Sequence, residues 1–258
     1  MTYPKIENSK QNRSTKAWLK LIEYVEIVRE NELDEFSPRE HLGNDLFKEI
    51  YTLPESIKEL KKVKKIWLYG SSLTSIPPEI GSMESLEYFD PYTSYGLKWF
   101  PYEITKCKKL IDSKISTRAL FGNYKNKKPF PDLSKNDFRY YSKITNCSFC
   151  GMQIEESNME QYWISKYVGT DVIPLLVSVC SNSCKNEIDE IEEEETYYIN
   201  KCHKGGVNVP VSKIDRMNYL VAKGKIKRYT SEELDSLTEK LGNAKPKPLR
   251  LIKKIWGK

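Results

Sequence analysis

The sequence predicts an α/β chain organised around a repeated unit, and three observations carry that prediction. One phrase is written three times, as Leu53-Pro54-Glu55-Ser56-Ile57, Ile76-Pro77-Pro78-Glu79-Ile80 and Phe100-Pro101-Tyr102-Glu103-Ile104, at spacings of 23 and 24 residues. Before it, apolar residues recur at helical spacing from Trp18 to Val28. After it, two close cysteine pairs stand at Cys147/Cys150 and Cys180/Cys184. Together these predict a short solenoid at 51–133, a helical N-terminal cap at 1–50, a metal-stapled α+β segment at 134–204 and a helical, basic segment at 205–258.

Composition permits this plan. The chain has 258 residues, of which 39% are hydrophobic and 30% charged, enough to bury a core and to solvate a surface. No apolar run reaches the roughly 18–20 residues of a membrane helix. Met1 to Ser14 is polar, without the apolar stretch of a secretory leader, so the cytoplasm is the expected compartment. Six cysteines are too few for a disulfide scaffold in a chain this long. A net charge of +6 is modest and scattered, which permits an anionic partner without demanding one.

Taken in order, residues 15–30 read as a helix with Trp18, Leu19, Leu21, Ile22, Val25, Ile27 and Val28 on a broad apolar stripe. A second helix start follows at Ser37-Pro38-Arg39-Glu40, with Ser37 as cap, Pro38 at the first helical position and Glu40 closing a capping box. The favoured role is to cover the open end of the stack, because a first unit has an apolar side without a neighbour.

Within the block, apolar residues follow each phrase at Leu60, Val63, Ile66, Leu68 and Leu73, then Met83, Leu86, Phe89 and Leu97, then Cys107, Leu110, Ile115 and Leu120. This pattern resembles the leucine-rich repeat family, whose units run L-x-x-L-x-L-x-x-N/C-x-L at a period of about 20–29 residues. The resemblance implies a short strand per unit, here centred on Ile66 with Leu68, Phe89 with Pro91, and Ser113 with Ile115. The family's Asn/Cys position holds Ser71, then Ser94 or Tyr95, then Arg118, so its buried amide ladder is missing. A fourth unit survives only as Phe130-Pro131-Asp132-Leu133.

Strand period two turns the residues flanking each core pair to the concave surface. These are Lys65, Trp67 and Tyr69; Tyr88, Asp90 and Tyr92; and Asp112, Lys114 and Ser116. Trp and Tyr offer large, stiff contact area and concentrate at binding hot spots, so this face is the expected partner-binding surface. Packing beneath a downstream segment is the competing reading.

Cys147-Ser148-Phe149-Cys150-Gly151 is a C-x-x-C-G knuckle, and Cys180-Ser181-Asn182-Ser183-Cys184 lies beyond it. Four thiolates satisfy a tetrahedral Zn²⁺ ion, so a structural zinc held by Cys147, Cys150, Cys180 and Cys184 is expected. Gly151 is expected to clear space where backbone amides approach the sulfurs. The second pair looks like that of treble-clef fingers of the MYM and TRASH type, where Val179-Cys180-Ser181 and a later Cys184 run into a helix from Lys185. The 29 residues between Cys150 and Cys180 exceed the usual spacing. Cys202-His203 is a substitute ligand source, and Cys107 reads as a small buried hydrophobe.

The acidic run Glu187 to Glu195 reads chiefly as a solvated helix face. A capping box at Thr230 and Glu233 opens a helix through Leu234, Leu237 and Leu241, stopped by Gly242. The last stretch, Lys245 to Lys258, interleaves six cations with Leu249, Leu251, Ile252, Ile255 and Trp256, and docking of its apolar side on the body is favoured. No P-loop, nucleophile elbow or H-E-x-x-H motif is present, so no enzymatic activity is expected. The expected function is recognition of a partner protein. Small bacterial repeat proteins with a Cys-Ser-x-x-Cys segment and a phrase like His203-Lys204-Gly205-Gly206 look like toxin-neutralising immunity proteins, which implies a cognate toxin as that partner. The second expectation is a nucleic-acid-binding zinc protein using the finger and the lysine-rich tail.

Overall fold

A computed structural model describes residues 11–123, 128–134, 145–155, 158–189 and 202–206. The acidic run beyond Asp189, the helix expected from Thr230 and the basic tail lie outside the described residues.

Helix α1 spans Lys16–Glu30, and Thr15 caps it by accepting a hydrogen bond from the Trp18 amide at 3.2 Å. Its buried face is Ala17, Trp18, Leu21, Tyr24, Val25 and Val28, which is the i, i+3/i+4 spacing of a helix lying on a core. The stripe is narrower than expected, because Leu19 is 60% exposed. Strand β1 (Glu35–Phe36), helix α2 (Pro38–Leu42) and helix α3 (Asn44–Phe47) follow. Pro38 does open α2, but the expected capping box is absent: the Ser37 side chain makes no capping bond. Its backbone amide donates instead to the Tyr24 hydroxyl at 3.0 Å, and Tyr24 stacks on Phe36 and His41.

The three phrases share one local structure. Pro54, Pro77 and Pro101 each precede a short 3₁₀ helix, at Glu55–Glu59, Pro78–Ser82 and Tyr102–Lys106, with φ of −74°, −73° and −69°. The pyrrolidine ring fixes φ near that value, so the entry costs little backbone entropy. Each helix buries one isoleucine, Ile57, Ile80 or Ile104. Strands β2 (Lys65–Trp67), β3 (Tyr88–Asp90) and β5 (Asp112–Ser113) then lie parallel, with β1 added at the front, in the order β1-β2-β3-β5. Lys65 pairs with Tyr88 and Tyr88 with Asp112, while Ile66, Phe89 and Ser113 line up behind them. Ile66, Leu68, Phe89, Pro91, Ser113 and Ile115 are all buried.

Where the repeat family has an amide ladder, serine hydroxyls bridge the units here. The Ser94 hydroxyl donates to the Leu68 carbonyl at 3.0 Å and accepts from the Ser71 amide at 3.1 Å. Its proton being committed, the 2.6 Å contact between the two hydroxyls has Ser71 as donor. One strand further, Ser116 accepts from the Thr93 amide at 2.8 Å. Cys107 is buried, donates to the Ile80 carbonyl and has its thiol pushed up to about 12 by burial.

Strand β4 (Phe100–Pro101) leaves this sheet and pairs with the long antiparallel hairpin β8 (Glu160–Val168) and β9 (Asp171–Val179), in the order β4-β9-β8. A two-stranded piece, β6 (Thr145–Asn146) with β7 (Gln153–Ile154), carries the first cysteine pair. One contiguous apolar core runs from Ala17 through the sheet to Val179 and Ile188, so the segments on either side of residue 134 share an interior. Phe130-Pro131-Asp132-Leu133 forms no further strand. Phe130 enters a second cluster with Trp99, Phe121, Trp163 and Leu176, and Trp163 donates its indole proton to the Pro131 carbonyl at 3.0 Å.

A buried acid, Glu103, and a half-buried one, Glu79, mark the side of the 3₁₀ helices. Glu103 is 9% exposed and its Oε2 has no hydrogen-bond partner among the described residues, as is also true of Glu79 Oε2. Burial raises both carboxyl pKa values, a hydrogen bond from Ser148 opposing this at Glu103. A raised folded-state pKa contributes stability below the ordinary carboxylate range that is lost as pH rises through the folded value. Glu103→Gln is therefore expected to stabilise the protein by on the order of 1 kcal/mol above neutral pH. Thermal unfolding of both proteins from pH 4 to 8 checks this, and parallel curves would refute it.

Candidate metal centre and exposed sheet face

Cys147 follows β6 directly, and its turn is tied twice. The Cys147 amide donates to the Met152 carbonyl at 2.7 Å, and the Gly151 amide donates to the Cys147 carbonyl at 2.9 Å. Gly151 sits at φ +76°, a left-handed conformation that glycine takes at no steric cost. Its role is that conformation and not the expected clearance, since a Cβ there would meet nothing within 4 Å. The second pair starts at Cys180, immediately after β9, and Cys184 lies in the first turn of helix α4 (Asn182–Asp189). That helix begins three residues earlier than expected, with the Ser181 hydroxyl accepting from the Cys184 amide at 3.3 Å.

The hairpin β8–β9 and the knuckle are locked together by Ser148. Its amide donates to the Ser178 carbonyl at 2.7 Å, and its hydroxyl accepts from the Ser178 amide at 3.0 Å. The result places one sulfur of each of Cys147, Cys150, Cys180 and Cys184 within 4.8 Å of the others, with no disulfide among them. Cys150 and Cys180 are 3.7 Å apart and Cys180 and Cys184 3.6 Å. A tetrahedron of thiolates about 2.3 Å from a zinc ion has edges of about 3.8 Å. The donor set therefore fits a closed structural metal site.

The electrostatics agree with that use. Burial opposes ionisation of Cys147, but the amides of Cys150, Cys180 and Phe149 point at its sulfur and bring the thiol down to about 7. Desolvation and the neighbouring thiols push Cys180 up to about 12. Four thiols this close cannot all ionise alone, and a divalent cation removes that conflict. Cys202 and His203 do not join the group. His203 instead bridges to Trp163 in both directions, at 2.8 and 3.0 Å, and its Nδ1 accepts from the Gly205 amide. Burial lowers its pKa to about 4. Gly205 and Gly206, both at positive φ, press on Pro131 and Asp132, where a side chain would collide.

The sheet face predicted to bind divides into two rows. In one, Lys65 donates to Glu35 at 2.8 Å, and the Trp67 indole donates to the other Glu35 oxygen at 3.0 Å. Trp67 packs on Tyr88 at 4.8 Å, and the Lys114 ammonium lies 5.9 Å from the Tyr88 ring. Asp90 is not part of an exposed surface as expected: it is 5% exposed and accepts from the Tyr88 hydroxyl and the Tyr92 amide. Asp112 accepts from Thr170 at the hairpin turn, 3.2 Å away. In the other row, Tyr69 and Tyr92 lie 6.0 Å apart and are 47% and 48% exposed. The hairpin turn meets the outer edge of β5 and leaves these rings open.

Glu35 and Arg39 are the members of this face that sequence reasoning missed. Both come from the segment read as a purely helical cap. Phe36 precedes Ile66 by 30 residues, off the 23-residue period, so periodicity does not reveal the extra strand.

These features define a mixed α/β protein with a parallel sheet and a four-cysteine cluster compatible with a structural metal. No helix among the described residues is long and apolar enough to cross a membrane. No family model matches the chain, and no curated protein matches it.

Proposed function

We propose that the chain is a non-enzymatic protein-recognition module, built on a short leucine-rich-repeat solenoid with a zinc-stapled end, that binds a partner protein through its concave strand face. The parallel ladder in step with the 23- and 24-residue phrases supports the solenoid reading. The observation that carries the function is the pair of half-exposed, mutually tilted rings, Tyr69 and Tyr92, in the turns that follow β2 and β3, beside Trp67 and Tyr88. Solvated faces seldom keep such aromatic area, whereas binding hot spots do. The specific form is neutralisation of a cognate toxin. The phrase His203-Lys204-Gly205-Gly206 that suggested it has a packing role of its own, so the toxin rests on the resemblance alone.

The test is capture of the partner by the wild-type chain and by Trp67→Ala, Tyr88→Ala and Tyr69→Ala/Tyr92→Ala variants of unchanged melting temperature. A loss of at least tenfold in affinity is expected for the double variant. Equal capture by all of them would remove the concave face from the account. Affinity for nucleic acid that falls steeply with salt would favour the second reading instead.

A further inference from the structure

The open row of the sheet face has a third member. The Arg39 guanidinium lies 5.8 Å from the Tyr69 ring, and Tyr69 lies 6.0 Å from Tyr92. Arg39 is exposed, donates its Nε to Asn44 Oδ1 at 2.7 Å, and has no acidic partner among the described residues. The Nε bond fixes the plane of the guanidinium, leaving the fork of its two terminal nitrogens at the end of the aromatic row. The lower row differs in kind, because Glu35 takes Lys65 and Trp67, and Tyr88 takes Asp90. On this face Lys65 is ion-paired with Glu35 and Lys114 lies against the Tyr88 ring, whereas the Arg39 guanidinium sits in the open row.

The spacing of the row is informative. An extended peptide presents same-side residues every two positions, about 6.6 Å apart. Arg39 on α2 and Tyr69 and Tyr92 in the turns after β2 and β3 are spaced near that repeat.

We propose that Arg39, Tyr69 and Tyr92 form one subsite for an extended, acidic segment of a partner protein. A carboxylate at one position pairs with Arg39, and apolar side chains two and four positions along lie on Tyr69 and Tyr92. A planar guanidinium held by Nε suits bidentate pairing with a carboxylate, and the ring beneath it adds a cation–π contact. This rests on the concave face being a recognition surface and adds the chemistry of what it recognises.

The experiment titrates capped synthetic peptides onto the full chain by fluorescence anisotropy. One peptide carries the pattern Glu-Ser-Leu-Ser-Tyr and the other has Lys in place of Glu. The glutamate peptide is expected to bind the wild type at least tenfold more tightly than the lysine peptide. Arg39→Glu should reverse that order, and Arg39→Gln should abolish the preference while keeping the fold, which makes it the fallback if Arg39→Glu misfolds. Absence of saturation up to millimolar peptide, or binding indifferent to charge in all three proteins, overturns the proposal. So does tighter, salt-sensitive binding of a dT15 oligonucleotide at the same residues. Loss of the natural partner in Tyr69→Ala/Tyr92→Ala but not in Arg39→Glu would leave the recognition face standing and remove only its acidic specificity.

Discussion

Cys147→Ser is expected to lose the bound metal and to unfold well below the wild type, the largest single effect foreseen for this chain. Cys147 is the most buried of the four, at 1% exposure, and its sulfur collects the amides of Phe149, Cys150 and Cys180. Removing it takes away a ligand and leaves those donors facing a hydroxyl that cannot replace a thiolate. Structural zinc sites have apparent binding free energies of about 10–16 kcal/mol, comparable with the whole stability of a typical domain. Cys150→Ser, at the exposed corner, keeps three thiolates and should retain metal more weakly. Metal content per chain, measured with the melting temperature, separates these cases. Metal-free wild type that melts like the loaded protein would sink the assignment. Because ligands must be deprotonated to bind, metal affinity should also fall as pH is lowered.

How far the sequence disclosed this structure depends on which interactions are local. The repeating units and the place of their short strands were legible because the apolar residues recur in step, while the 3₁₀ form that follows Pro54, Pro77 and Pro101 was not read. The cysteine group was legible because thiolate spacing is itself chemistry. Strand β1 was hidden, since Glu35 and Phe36 lie off the period and become a strand only by pairing with Lys65 and Ile66. Asp90 has a strand phase that points outward, yet two hydrogen bonds close over it. The serine ladder was invisible for a related reason. Ser71 and Ser94 are weak matches to an Asn position, and their partnership exists only once the strands have stacked. The hairpin β8–β9 was the largest omission. Its nine-residue strands are buried almost throughout, so neither alternates. Strand β9 reads as a nearly continuous apolar run, which periodicity alone does not distinguish from a buried helix. Strand β8 buries the polar Gln161, Ser165 and Lys166 among its apolar residues.

That hairpin also carries the second large prediction. A parallel stack of strands ends in an edge with unpaired backbone groups, a template for unwanted pairing unless something covers it. Here the turn between β8 and β9 supplies the cover. Asp171 accepts from the Ile115 amide at 3.2 Å and from the Ser113 hydroxyl at 3.1 Å, and Thr170 donates to the Ser113 carbonyl at 2.7 Å. Gly169 lies so close to Ser113 that a Cβ would come within 2.8 Å of its hydroxyl oxygen. Asp171→Ala strands the Ile115 amide in a site where the carboxylate is 7% exposed, while the Ser113 hydroxyl keeps the Val168 carbonyl, 3.2 Å away, as an acceptor. A buried group left unsatisfied costs about 1–3 kcal/mol, and a loss of that size is expected. Asp171→Asn, which keeps one oxygen acceptor, should lose less. Hydrogen exchange places the effect: Ile115 and Ser113 should lose protection in Asp171→Ala while Ile66 at the front of the sheet keeps it. The same strand β9 runs from Asp171 to Val179 and hands over to Cys180, about 30 Å away at 3.3 Å per residue. The four-cysteine cluster and the edge cap are thus the two ends of one strand. Uniform loss of protection along the whole sheet in Asp171→Ala would show that the turn is not a separate cap but part of a single cooperative unit.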